Sequence, residues 1–358
     1  MQMLLKKAGM ILFGVFVAAL VGELFLRAIG FGQLTPQMSF GVKAKNALER
    51  GFFAPDQTLF WKARRDRKPR FQQSAIFVHP DAPIPPRDAR KRLVVLGDSC
   101  SRLAPRGLPY SAFLQTELGK ADWEVLNASV SGYSSYQGLL WLRLQLLEAD
   151  PDVVVVYFGW NDHWRTPGRT DRQYERSMRP GRLRLLGLLS RRSDPPPFRV
   201  PLEEYRENLQ SMIDELVDSG GRAVLIAAPY RFAEENKQRF VGDAYLLPGD
   251  DVVSLHRSYL DVVREFIGRK GVTVLGADAV FASLNDASPL FRDDGIHFTN
   301  EGHRVMGALL AEQIRSGAGN DGTAAPALLN AARRALAGRT APDESGESIS
   351  PGQVSGND

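Results

Sequence analysis

The chain contains a serine, a histidine and an aspartate in settings that suit nucleophilic catalysis. Ser99 ends the segment LVVLGDS, in which an apolar run stops on small polar residues. A serine hydroxyl is a poor nucleophile until a base removes its proton, and His297 is the candidate base. A carboxylate must fix the tautomer of that histidine, and Asp294 lies three residues before it. Together these residues predict acyl transfer through a Ser-His-Asp triad.

Neighbouring residues offer alternatives for two of these roles. His303 in NEGH is a second candidate base, but it falls in the first turn of the predicted final helix, so the D-x-x-H spacing favours His297. Asp293 stays open as an alternative orienting carboxylate. Cys100, beside the candidate nucleophile, is expected to be a small packed side chain and not a second nucleophile.

Acyl transfer also needs hydrogen-bond donors for the negative charge of a tetrahedral intermediate. Asn161 in GWND supplies an amide side chain, and backbone N–H groups after a glycine turn supply others. In the sequence, no Cys/His cluster has metal-ligand spacing and no glycine-rich loop suits a nucleotide. Neither a metal nor an organic cofactor is therefore expected.

Five short apolar runs alternate with helical stretches from residue 92 onward: RLVVLG, WEVLN, VVVVYFG, AVLIAAP and VTVLG. Runs that are apolar on both faces fit strands of a parallel sheet covered on both sides. The alternation predicts an α/β sandwich with a doubly wound parallel sheet. In such folds the site lies at the carboxyl ends of the strands. Ser99 and Asn161 both follow a predicted strand directly, so we expect them to lie close together.

At these residues the chain resembles the SGNH hydrolases, the GDSL family of esterases and lipases. GDS at residues 97–99, the glycine of SVSGYSS, GWND at 159–162 and DGIH at 294–297 occur in the family's order. The resemblance covers roughly residues 92–315. It implies a flavodoxin-like three-layer α/β/α sandwich with a five-stranded parallel sheet.

The resemblance also implies roles for individual residues. It makes Ser99 the nucleophile of the triad. It implies an oxyanion hole built from the backbone N–H groups of Ser99 and Gly132 and from the side chain of Asn161. Asp98 would brace the turn. The nucleophile elbow G-x-S-x-G is absent because Ser101 stands at its last position, which argues against an α/β-hydrolase.

The residues after the serine depart from the family pattern. Family members often continue with a Ser or Leu and later a glycine, whereas Cys100, Ser101 and Arg102 follow here. This departure is expected to place a thiol beside the nucleophile and a guanidinium near the cleft. The substrate preference of the family therefore cannot be carried over.

The N-terminus predicts a membrane anchor within residues 1–30. After MQMLLKK come fifteen uncharged and mostly apolar residues, and a helix from Ala8 to Gly30 would have 23 residues. That length suffices to cross a bilayer with some tilt. A cleaved signal peptide is the alternative. Lys6 and Lys7 before the span favour a cytoplasmic N-terminus, with the rest of the chain on the extracytoplasmic side.

The remaining boundaries follow from composition. Residues 31–91, rich in breakers and bases, are expected to be a juxtamembrane linker and packing segment. Residues 92–315 form the predicted catalytic domain, interrupted at 162–200 by an insert with ten arginines. Residues 316–358 are expected to be a mostly disordered tail with one short helix.

The sequence therefore predicts a membrane-anchored serine ester hydrolase that forms an acyl-enzyme. The expected substrate is an acylated carbohydrate or cell-envelope polymer, or a lipid ester. An O-acyltransferase would use the same residues and stays open. A catalytically silent envelope protein that binds glycan or protein is a third reading, against which the intact set of site residues speaks. The formal net charge of +4 is too small to indicate a nucleic-acid partner.

Overall fold

The five apolar runs form the strands of one parallel sheet in the computed structural model of the chain. The structure describes residues 2–30, 53–64, 76–102, 104, 107–166, 168–178, 183–185, 195–316 and 326–338. The main strands are β4 (Lys91–Gly97), β5 (Trp123–Ser129), β6 (Val153–Tyr157), β7 (Arg222–Ile226) and β8 (Val272–Leu275). The two-residue strand β3 (Ile76–Phe77) pairs with β5 and adds a sixth strand at that edge. The spatial order is β3-β5-β4-β6-β7-β8.

Helices cover both faces of this sheet. The α-helices of the described residues, which include the exposed N-terminal helix, are α1 (Gln2–Ala28), α2 (Ser99–Arg102), α3 (Tyr110–Leu118), α4 (Ser135–Trp141), α5 (Asp171–Met178), α6 (Leu202–Asp218), α7 (Glu234–Gly242), α8 (Val252–Arg264), α9 (Ala277–Ala282), α10 (Asn300–Ser316) and α11 (Pro326–Ala337). The chain moves from β4 to β5 in one direction along the sheet and from β5 through β8 in the other. With right-handed crossovers, α3 therefore lies on one face and α4, α6 and α8 lie on the opposite face. Helix α10 packs on α3, which completes three layers and confirms the predicted sandwich.

The register of the central strands aligns their carboxyl ends. Gly97 at the end of β4 pairs with Ser129 of β5 and with Tyr157 of β6. The strand order reverses at β4, because its two neighbours are reached in opposite directions. The segments that follow these three strands therefore meet at the switch point of the sheet, which is where a doubly wound fold places its ligand site.

A hairpin precedes the main sheet, inside the segment predicted to be a linker. Strands β1 (Phe53–Asp56) and β2 (Phe60–Ala63) pair antiparallel, and Trp61 is fully buried. The Tyr133 hydroxyl donates to the Trp61 carbonyl oxygen at 2.7 Å, and the Trp61 indole N–H donates to the Ser131 carbonyl at 3.3 Å. The hairpin thus supports the turn that follows β5.

Helix α1 carries the predicted membrane span. Its stretch Lys6–Ala28 is long and apolar enough to cross a membrane, by a length and composition test that a signal sequence also passes. Large apolar side chains such as Phe13 and Leu24 are exposed along it. Near its end, Glu23 pairs with Arg27 at 2.8 Å and accepts the Leu185 N–H at 3.0 Å. Most of the predicted linker, much of the insert and most of the predicted tail lie outside the described residues, but α11 buries Leu328.

Candidate active site

The break at the end of β4 places Ser99 at the carboxyl edge of the sheet. Gly97 has no room for a side chain, because a Cβ there would collide with the Ser101 side chain and approach the Tyr157 carbonyl oxygen. The turn is closed by Asp98, whose Oδ1 accepts the Cys100 N–H at 2.8 Å. Ser99 is the first residue of α2, so its side chain leaves the sheet where the neighbouring strands also end.

The structure brings together the three residues predicted to form a triad. His297 Nε2 lies 2.8 Å from Ser99 Oγ, and His297 Nδ1 lies 2.9 Å from Asp294 Oδ2. The loop between β8 and α10 carries the histidine and the aspartate. The side chains of His297 and Asp294 are 15% and 14% exposed, so the imidazole is shielded yet remains open to solvent. In this arrangement His297 can take the proton of the serine hydroxyl, while Asp294 orients the imidazole.

The Asp294 carboxylate is held in its ionised form. Its Oδ1 accepts the backbone N–H groups of Ile296 at 3.1 Å and of His297 at 2.9 Å. Burial acts to raise the pKa of Asp294, but the hydrogen bonds and charge of His297 outweigh burial and lower this pKa well below its usual range. An ionised carboxylate fixes the proton of the imidazole on Nδ1, which leaves Nε2 free to accept one from Ser99.

Asn161 lies beside the nucleophile turn, held by two acceptors. Its Nδ2 lies 2.9 Å from Asp98 Oδ2 and 3.1 Å from the Tyr133 carbonyl oxygen. Asp98 thus connects the serine turn to the loop after β6, and it is buried. Burial raises the pKa of Asp98 to about 6, against hydrogen bonds from Cys100 and Asn161 that lower it. The amide of Asn161 is therefore fixed in orientation before a substrate arrives.

Gly132 occupies the turn after β5 in a conformation that favours glycine. Its φ of 83° lies in the left-handed region. The Gly132 carbonyl oxygen accepts Nη1 of Arg199 at 2.7 Å, while the Tyr133 N–H bonds to the Val130 carbonyl at 3.1 Å. Within the described residues, no protein oxygen accepts the Gly132 N–H. That donor is therefore available to a ligand.

The alternatives raised by the sequence lie elsewhere. His303 is buried, and its Nδ1 accepts the Tyr110 N–H at 3.3 Å, so it serves the contact between α3 and α10. Asp293 is exposed, and its carbonyl oxygen accepts Nδ2 of Asn236 at 2.6 Å. The Cys100 thiol is buried, with Sγ 3.5 Å from the Ile296 carbonyl, and burial raises its pKa well above the usual value. Such a thiol is inert at neutral pH.

Arg102 is buried at the edge of the sheet, and its guanidinium is shielded from solvent. Its side chain is buried, donates to the Ser129 carbonyl at 2.8 Å and lies over the Phe77 ring at 4.8 Å. The short helix α2 turns this side chain back under the sheet edge. Arg102 therefore connects the edge strand β3, through Phe77, with the end of β5, through Ser129.

Asp162 lies behind the loop that carries Asn161. It is fully buried, and its two oxygens accept the N–H groups of Ser135 at 2.9 Å and Gly159 at 3.0 Å. Burial raises the pKa of Asp162 to about 7, although these hydrogen bonds lower it. Asp162 therefore braces the loop that carries Asn161. Among the described residues, no group of three or more His, Cys, Asp or Glu side chains is arranged to hold a metal ion.

The melting temperature of the wild-type protein, relative to that of Asp162→Asn, is expected to fall as pH rises from about 5 to 7.5. The pKa of folded Asp162 lies above its ordinary value of 3.8, so the folded state binds the proton more tightly. This stabilisation is complete below pH 3.8 and is lost as pH rises through 7, at up to about 1.4 kcal/mol per pH unit. Calorimetry of both proteins across this range tests the expectation, and parallel curves would contradict it.

Comparisons with known proteins point to one family. The model of the GDSL-like lipase/acylhydrolase family matches residues 95–305. Esterase TesA of Pseudomonas aeruginosa is 42% identical over 83 residues, which are 22% of this chain and only 40% of that relative's length. A solved lipase/acylhydrolase from Enterococcus faecalis is 19% identical with a TM-score of 0.46, over 63% of this chain and 96% of its own. A catalytic mutant of an acetylxylan esterase from Geobacillus stearothermophilus is 17% identical with a TM-score of 0.41, over 64% of this chain and 95% of its own.

Proposed function

Since this chain belongs to the GDSL-like lipase/acylhydrolase family, a family of hydrolases acting on esters, we propose that it is a serine ester hydrolase with Ser99 as its nucleophile. His297 acts as the base, and Asp294 orients it. The observation that carries the proposal is the unbroken line from Ser99 Oγ to His297 Nε2 at 2.8 Å and from His297 Nδ1 to Asp294 at 2.9 Å.

The reaction proceeds in two acyl-transfer steps. Ser99 Oγ attacks the ester carbonyl carbon while its proton passes to His297 Nε2, and the carbonyl oxygen becomes an oxyanion. Collapse of this intermediate expels the alcohol, which takes the proton from His297, and leaves an acyl group on Ser99. Water then attacks the acyl-enzyme with His297 as base, and the carboxylic acid leaves. Each step returns the imidazole to its starting state.

The oxyanion is stabilised by the N–H groups of Ser99 and Gly132 and by the Asn161 amide. The Gly132 N–H supports this assignment, because no oxygen of the described residues accepts it. Without substrate, the Asn161 amide donates one N–H to Asp98 and the other to the Tyr133 carbonyl oxygen. When the oxyanion forms, it replaces the Tyr133 carbonyl as the acceptor of the second N–H. The exchange is favourable because a charged acceptor forms the stronger hydrogen bond. Because the hydrogen bond to the Tyr133 carbonyl is lost in this exchange, Asn161 stabilises the transition state less than a donor without a partner would.

Asn161→Ala is expected to lower kcat by about 10²-fold, the low end for loss of one oxyanion-hole donor, because of this exchange. KM should stay within about twofold, since the interaction strengthens only in the transition state. Steady-state kinetics on p-nitrophenyl acetate give both constants. Asn300→Ala is the control, because Asn300 is exposed and its side chain, among the described residues, accepts a hydrogen bond only from the Leu108 N–H. A raised KM with unchanged kcat would contradict the role of Asn161.

The substrate class follows from the proposed location. Helix α1 anchors the protein in a membrane, Lys6 and Lys7 stay on the cytoplasmic side, and the site faces the extracytoplasmic space. A site in that position can reach acyl esters on envelope carbohydrates, on envelope polymers and on lipids. The exposed apolar side chains of α1 support the anchor.

The function is tested with the full chain in detergent. A fluorophosphonate probe should phosphonylate one serine, and mass spectrometry should map it to the peptide containing Ser99. Hydrolysis should be screened on acetylated glycans and on esters of short and long acids, with and without a sugar acceptor. Free acid in the presence of acceptor indicates a hydrolase, whereas an acylated sugar indicates a transferase. Absence of both labelling and turnover would overturn the proposal.

A further inference from the structure

Arg199, from the arginine-rich insert, reaches the turn that carries Gly132. Arg199 is buried, with 3% of its surface exposed. Nη1 donates to the Gly132 carbonyl oxygen at 2.7 Å, and Nη2 donates to Gln137 Oε1 at 2.7 Å. Nε and Nη2 also donate to the two oxygens of Asp171 at 3.2 and 2.7 Å. All three nitrogens of the guanidinium are thus engaged, and one of them holds the backbone of the candidate oxyanion hole.

The same residue is tied to the loop that carries the other donor. The Arg199 N–H bonds to the Trp164 carbonyl at 2.8 Å, and the next residue, Val200, donates to the Asp162 carbonyl at 2.9 Å. Asp162 follows Asn161 directly along the chain, and Trp164 lies three residues after Asn161. Arg199 therefore connects the turn after β5 with the loop after β6, through its side chain to the first and through its backbone to the second.

Gly132 needs such a contact for a physical reason. Glycine permits the φ of 83° seen here, but it is also the residue with the most backbone freedom, so no side chain restricts the rotation between the two peptide planes that meet at Gly132. A charge-assisted hydrogen bond to its carbonyl restricts that freedom. Stability alone is a weak explanation, because a buried ion pair such as Arg199–Asp171 gives little net gain over apolar residues of similar size.

We propose that Arg199 is a positioning residue of the oxyanion hole, which holds in place the turn that carries the Gly132 N–H by bonding the Gly132 carbonyl. The inference rests on the proposed function. It assigns a role in the ester hydrolysis to the insert, which supplies no group to the triad. Arg199 itself touches neither the substrate nor the reacting atoms.

Arg199→Lys keeps the charge, but its three donors lie on one nitrogen, so it cannot reproduce the four hydrogen bonds that Arg199 makes from three nitrogens. It is expected to lower kcat on p-nitrophenyl acetate by about 10- to 100-fold, because small misplacements of a catalytic group cost up to that factor. KM should stay within about twofold. The affinity for a trifluoromethyl ketone should fall by the same factor as kcat/KM, because Ser99 adds to its carbonyl and leaves an oxyanion in the hole.

Arg165→Lys is the matched control. Arg165 lies in the same insert, donates to Asp250 at 3.0 and 2.6 Å and to the Pro196 carbonyl at 2.8 Å, and stacks on Phe198. None of these contacts reaches residues 131–133, so kcat and ketone affinity should stay at the wild-type values. Equal kcat in the two lysine variants would overturn the inference.

A second variant covers the case in which Arg199→Lys does not fold. The double change Arg199→Met with Asp171→Leu removes the buried charges together, a replacement that often preserves stability. It should show the same 10- to 100-fold loss of kcat with little change in KM, and wild-type kcat in this variant would overturn the inference. A wild-type protein that is neither labelled at Ser99 nor active would instead overturn the proposed function, and the inference with it.

Discussion

Replacing Ser99 with alanine is expected to lower kcat by roughly 10⁵- to 10⁶-fold, the effect of removing a serine nucleophile that works together with its base. The Oγ atom is the partner of His297 Nε2 at 2.8 Å, and no hydroxyl remains to take its place in the variant. Fluorophosphonate labelling should disappear together with turnover. Both are measured on the full chain in detergent, with p-nitrophenyl acetate as substrate.

The adjacent thiol provides the control for this experiment. Cys100→Ala should keep its activity within about threefold and retain full labelling, since the Cys100 thiol is buried and faces the Ile296 carbonyl. A protein with Ser99→Ala that still hydrolyses esters at a substantial rate, and loses this rate on the further change of Cys100, would show that the nucleophile is the thiol. That outcome would remove Ser99 from the mechanism.

Asp294→Asn is expected to lower kcat by on the order of 10⁴-fold through the tautomer of His297. Asp294 Oδ1 accepts two backbone N–H groups, so the asparagine oxygen is held there and its NH₂ group faces His297 Nδ1. Nδ1 must then accept a hydrogen bond, and the proton moves to Nε2, which faces Ser99. An imidazole in that state cannot take the serine proton.

The neighbouring aspartate tests the assignment. Asp293→Asn should leave kcat within about twofold, because the side chain is exposed and the residue contacts Asn236 through its carbonyl oxygen. Kinetics of the two single variants on the same ester decide between them. A large loss in Asp293→Asn with near-normal activity in Asp294→Asn would reverse the roles.

The sheet was predictable because its strands are buried on both faces. All five residues of β6 are buried, as are six of seven in β4, and such strands appear in sequence as continuous apolar runs. The ends of these runs were also visible, since four of them stop at a glycine or an asparagine and the fifth stops at a proline. A parallel sheet brings those ends to one edge, so the proximity of Ser99 and Asn161 follows from topology.

The hairpin and the direction of Arg102 were not predictable in the same way. The hairpin lies among prolines and charged residues, and its signal is a local turn in which Asp56 Oδ1 accepts the N–H groups of Thr58 and Leu59. Such a turn says nothing about what the strands cover. The direction of Arg102 depends on its contacts with Ser129 and Phe77, which are set by the packing of distant strands.

Arg199 shows why a compositional bias can hide a specific role. The insert has ten arginines, and exposed guanidinium groups are the common outcome in such a segment. The Arg199 carboxylate partner, Asp171, lies 28 residues earlier, and the carbonyl it holds lies 67 residues earlier. Only the folded chain distinguishes this residue from the other nine.

The hairpin of β1 and β2 limits how this fold can be divided and recombined. Trp61 contacts the turn at residues 131–133 through its hydrogen bonds with Tyr133 and Ser131. The shortest fragment that keeps both hydrogen bonds and the whole hairpin therefore begins at Phe53. A fragment grafted from Arg92 onward would carry the triad but leave behind the partner of the Tyr133 hydroxyl. Exchanging only the N-terminal segment between relatives would therefore alter the support of Gly132 while every residue that meets the ester stays the same.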